Sequence, residues 1–148
     1  MYRLALPALL LLLGGTPAVA QTVEAVNGSI ETVLGDHAKY EEAFDTLQTA
    51  VAAHEADMVS DLVSYPITVA ADGGALTLDG PEAFIAQYDA IMTDEITKVV
   101  LEQKYETLFV NAQGVMFGDG QVWLNGICKD DACSDFDVKI ITIQSTAP

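Results

Sequence analysis

The stretch Thr107–Gln144, TLFVNAQGVMFGDGQVWLNGICKDDACSDFDVKIITIQ, holds four short apolar runs parted by turn residues. Its spacing predicts strands at Thr107–Asn111, Val115–Phe117, Gln121–Ile127 and Phe136–Gln144. Gly118-Asp119-Gly120 is a tight-turn signal between the second and third of these. In the last run Phe136, Val138 and Ile140 alternate onto one face, and Ile141 and Ile143 onto the other. A strand apolar on both faces is expected in the centre of a sheet covered by helices.

Upstream the period changes from two to 3.6. From Asp36, a suitable helix cap, Tyr40, Phe44, Leu47, Val51 and Met58 recur at helical spacings between charged residues. His54-Glu55-Ala56-Asp57 breaks that stripe, and a second short helix is expected to about Ser64, burying Met58, Leu62 and Val59. Tyr65-Pro66 ends it, because a residue before proline is driven out of the helical region. A hairpin follows: Ile67–Ala70, a turn at residues 71–74, then Ala75–Leu78. Pro81 opens a helix to Met92 with Phe84, Ile85, Tyr88 and Ile91 on its apolar face, and Thr93-Asp94-Glu95 reads as a fresh cap. Helices, a hairpin, another helix and a meander define an α+β domain over residues 36–148.

The N-terminus reads differently. One cation (Arg3), an apolar run Leu4–Leu13, the breakers Gly14, Gly15 and Pro17, and the small-residue tripeptide Ala18-Val19-Ala20 compose a signal peptide over residues 1–20. The run is about half the roughly 20 residues a spanning helix needs. No Cys follows Ala20 to take a lipid, so no membrane anchor is expected. Residues 21–35, with Asn27-Gly28-Ser29 and Gly35, read as a flexible lead-in, and Asn27 begins a glycosylation sequon.

These readings predict a periplasmic or secreted protein. Residues 21–148 carry five lysines (39, 98, 104, 129 and 139) against 22 acidic residues, a charge of −17. Such a charge disfavours nucleic acid and anionic lipid surfaces as partners. In an oxidising compartment Cys128 and Cys133 are expected to close a disulfide that staples a hairpin loop. Two ligands without a neighbouring His or third Cys do not make a zinc site.

Met58-x-x-x-Leu62-Val63-x-Tyr65-Pro66, the glycine hairpin, the helix from Pro81 and the C-terminal meander together resemble the NTF2-like (cystatin-like, SnoaL-like) superfamily over residues 36–144. The resemblance implies a curved antiparallel sheet wrapped around helices, a cone with an apolar pocket, and a possible homodimer through the sheet face. It implies Tyr65, Phe84, Tyr88, Phe117 and Trp123 as ligand-pocket residues; ordinary core packing is the competing reading of each. Isomerases of the superfamily carry a base Asp in the first strand, where Ile67, Thr68, Val69 and Ala70 stand here. Its dehydratases use a His–Asp pair, for which His54 with Asp57 is the nearest local match; His37 beside Asp36 is weaker.

No Gly-x-Ser-x-Gly elbow is present. Asp130, Asp131, Asp135 and Asp137 lack calcium-loop spacing and read as a solvated loop. That loop, Cys128-Lys129-Asp130-Asp131-Ala132-Cys133, is similar to the disulfide-closed inhibitory loop of Ivy-type lysozyme inhibitors, with Asp131 where that family places a His. The expectation is therefore an exported domain, without catalytic residues, cofactor or metal, that binds a small apolar molecule or a protein partner. An isomerase- or dehydratase-type enzyme and a lysozyme inhibitor are the alternatives.

Overall fold

The computed structural model describes residues 20–71 and 74–145; residues 1–19 of the proposed export segment, the tip of the first hairpin and residues 146–148 lie outside them. Three helices come first: α1 (Val23–Val33), α2 (His37–Ala52) and α3 (Ala56–Asp61). A hairpin of β1 (Ile67–Ala71) and β2 (Gly74–Leu78) follows, then α4 (Pro81–Ala86), α5 (Tyr88–Ile91) and α6 (Asp94–Glu102). The chain ends in the meander β3 (Phe109–Asn111), β4 (Gly114–Phe117), β5 (Val122–Cys128) and β6 (Phe136–Ile143). The α+β class holds.

The meander is an antiparallel sheet in the order β3-β4-β5-β6. Just before β1, Val63 makes a parallel bridge to Ile140, with Ile140 N–H donating to Leu62 O (2.6 Å) and Ser64 N–H to Ile140 O (2.9 Å). The hairpin therefore lies near β6, which is the end strand of the four-stranded sheet rather than the central one its apolar content suggested; the isolated bridge at Val63 covers part of its outer edge. The inner face of the sheet carries Val115, Phe117, Val122, Leu124, Val138, Ile140 and Ile143, all buried. Against it pack Tyr40, Phe44, Leu47 and Val51 of α2 and Ile96 and Val100 of α6. Asp36 and Thr93 cap α2 and α6 through their side chains, as expected.

Four expectations are corrected. Residues 23–33 are a helix rather than a flexible lead-in. Thr22 caps α1, Val26 and Ile30 are fully buried, and Gly35 N–H (φ +109°) closes its end on Ile30 O. Asn27 lies inside α1 and its Oδ1 accepts a hydrogen bond from Tyr105 (2.8 Å), so the sequon is not on a loop. Met58 and Ile85 are exposed, because α3 turns Val59 and Ser60 inward and the helix from Pro81 breaks at Gln87. Finally, Trp123 pairs with Thr142 but Leu124 with Ile140, so Ile141 is an extra residue in β6. This bulge resets the alternation and returns Ile143 to the core face with Val138 and Ile140.

Candidate binding surface

The five aromatics expected to share a pocket occupy three places. Tyr65, Phe84 and Tyr88 form an edge-to-face chain between the first hairpin and α4–α5, with centroids 6.5 and 6.1 Å apart. Phe84 is fully buried and Tyr88 nearly so. The Tyr65 hydroxyl is satisfied by Ser60, 2.9 Å from its Oγ and 3.1 Å from its carbonyl oxygen. Burial raises the phenol pKa of both tyrosines. Phe117 belongs to a different cluster, stacked on Phe44 at 5.3 Å, with Tyr105 edge-on to the same ring. Tyr105 is pushed up to about 12, chiefly by burial and further by Glu41 and Asp45.

Trp123 stands apart from both clusters. It alternates with the buried Val122 and Leu124 and so projects from the outer face of the sheet. The outer row reads Phe109, Met116, Trp123 and Thr142 across four paired strands. Phe109 is half-exposed and meets the Trp123 ring edge-on (6.5 Å, 88°). Beside this row an open groove of about 550 Å³ is lined by Gln113, Trp123, Asn125, Ile141, Thr142 and Gln144. Two consecutive residues, Ile141 and Thr142, reach it because of the β6 bulge.

His54 pairs with Asp89 (3.2 Å) rather than with Asp57 and lies edge-on to Tyr88. Both partners are open to water, with 72% and 85% of their side chains exposed. His37 Nδ1 meets Glu31 Oε1 at 2.5 Å, tying α2 to α1. The open groove nearest His54 has a volume of about 350 Å³ and includes Gln87 and Asp89. Each histidine thus pairs with a single carboxylate.

Cys128 and Cys133 are joined by a disulfide, with Cα atoms 4.8 Å apart. Around it, among the described residues, Asp130, Asp135 and Asp137 are engaged in hydrogen bonds or ion pairs, and Asp131 is not. Asp130 accepts from the Ser134 N–H and hydroxyl, and the hydroxyl contact is the main reason its carboxyl titrates low. Asp135 is gripped by Lys39 and Lys129, which hold its carboxyl far below the usual carboxylate range. Lys129 also pairs with Asp137 (3.0 Å), and Lys39 lies 4.6 Å above the Phe136 ring. Among the described residues no group of three or more His, Cys, Asp or Glu is placed to hold a metal. Nor is any described helix long and apolar enough to cross a membrane.

No family model, curated protein or solved structure matches this chain.

Proposed function

We propose that this chain is an exported, non-catalytic NTF2-like domain that works by binding, and that its ligand or protein partner sits on the outer face of the sheet around Trp123. The carrying observation is the division of the aromatics. Phe84 and Phe117 are consumed by the packed interior, whereas the half-buried Trp123 and the exposed Phe109 stand in a row on a face that no described helix covers. Interior side chains that already fill one another's space offer a ligand little room. An indole at a sheet surface offers apolar area and a hydrogen-bond donor together.

The NTF2-like reading draws on the element order and on the parallel bridge that sets the first hairpin beside β6. The export reading draws on the N-terminal pattern and agrees with a closed disulfide. Against an enzyme stand the apolar content of β1 and the exposure of the His54–Asp89 pair. A lysozyme-inhibitor role through residues 128–133 would draw chiefly on Asp131, since Asp130 is occupied with Ser134.

The test is a ligand-observed NMR screen of small molecules and peptides, run on the parent protein and on Trp123→Ala. Hits are expected to bind the parent and lose binding in the variant while the circular dichroism of the two stays the same. Hits that bind both proteins equally contradict the outer-face reading.

A further inference from the structure

The groove beside Trp123 differs in chemistry from the other open surfaces. None of its six lining residues carries a charge, although 22 of the 148 residues are acidic. The groove between α2 and β6 is by contrast lined by Lys39, Glu42, Asp137 and Lys139 among others. A neutral lining in an anionic molecule offers neither a counter-ion to a cation nor relief to an anion approaching through the field of the whole chain.

The polar groups there are largely unspent. Among the described residues the Gln113 side-chain amide, the Asn125 Nδ2 group, the Thr142 hydroxyl and the Gln144 Oε1 atom make no hydrogen bond within the protein. What is spent fixes their positions: Asn125 Oδ1 accepts from Gly126 N–H (2.8 Å) and Tyr40 OH (3.2 Å), and Gln144 Nε2 donates to Gly120 O (3.0 Å). Donors and acceptors thus surround an indole held on one side by Phe109. An alkyl ligand would cover these groups and leave them unpaired, which costs more than exposed apolar area returns.

From this lining we infer that the groove binds a neutral saccharide, with one pyranose ring stacked on Trp123; the inference rests on the outer-face reading above and names its ligand class. A pyranose has an apolar C–H face for the indole and a rim of hydroxyls that both donate and accept, as carboxamides do. The bulge widens the floor so that Ile141 packs under the ring while Thr142 meets its rim. At about 550 Å³ the groove is within the range of small-molecule sites, and being open it admits a sugar chain running past both ends.

The test titrates the purified protein with a β-linked glucose trimer and an N-acetylglucosamine trimer, reading calorimetric heat and the emission of Trp123, the one tryptophan of the chain. A galacturonate trimer and n-decanol are the anionic and apolar comparisons. Saturable binding of at least one neutral trimer is expected, with no saturation by galacturonate. Trp123→Ala should weaken it by about tenfold or more. Gln113→Ala and Thr142→Val should each weaken it by roughly three- to tenfold, which keeps the test informative if Trp123→Ala folds poorly. Failure of both neutral trimers to bind at millimolar concentration overturns the inference, as does binding that survives all three substitutions. A Trp123 response to n-decanol alone overturns the saccharide while sparing the outer-face reading. Sedimentation showing this face closed by a second copy that sugar does not displace also overturns the saccharide.

Discussion

Gly114 turns the chain from β3 into β4 at φ +131°, and a Cβ there would fall 2.1 Å from the Leu124 carbonyl oxygen. Neither the backbone conformation nor the space admits alanine, so Gly114→Ala should cost about 2–4 kcal/mol in a urea titration. Gly28 gives the opposite sign. It is exposed within α1 with nothing within 4 Å of its Cβ position, so Gly28→Ala should stabilise by roughly 0.5–1 kcal/mol through helix propensity. Tyr105 supplies the pH dependence. Its phenol is raised from 10.0 to about 12 in the folded protein, so the folded state holds its proton longer than the unfolded chain does. That contribution is complete below pH 10 and is lost as pH rises toward about 12. Following tyrosinate absorbance beside the thermal midpoint should show Tyr105 ionising together with loss of stability, and Tyr105→Phe should flatten that fall.

At the scale of elements, α1 shows what local reading misses. Val23, Val26, Ile30 and Val33 are spaced three, four and three apart, a helical stripe that was legible. Asn27-Gly28-Ser29 in its middle carries turn-forming residue types, and these outweighed the stripe. In the folded chain burial of Val26 and Ile30 and the Tyr105–Asn27 hydrogen bond override that preference. Ile30→Ala should therefore cost about 2–5 kcal/mol, which a flexible lead-in would not show. The β6 bulge was illegible for another reason: which residue is extra depends on pairing with β5, and strict alternation sent Ile143 to the wrong face. The cysteine loop was legible from the spacing of its two cysteines between strand-like runs together with the expected export. Its bond closes a short loop, so reduction, or Cys128→Ala with Cys133→Ala, should lower stability by about 2 kcal/mol at the denaturation midpoint.

Across the whole molecule, the order of helices and strands could be read from periodicity, but the two sides of the sheet could not be told apart. Phe117 and Trp123 both sit at alternating positions of neighbouring strands, and residue type alone does not say which faces the helices. Packing against Phe44 decides it for Phe117; for Trp123 the buried neighbours Val122 and Leu124 do. The resemblance implies a ligand among interior aromatics, whereas the Trp123 ring and the uncommitted amide groups lie on the outer face of the sheet. The most direct test is an amide-resolved chemical-shift map of the protein saturated with a ligand from the screen. The expected shifts cluster on residues 109–116, 123–125 and 141–144, the outer face. Shifts confined to residues 54–57 and 84–90, around His54, Phe84 and Tyr88, would contradict the account.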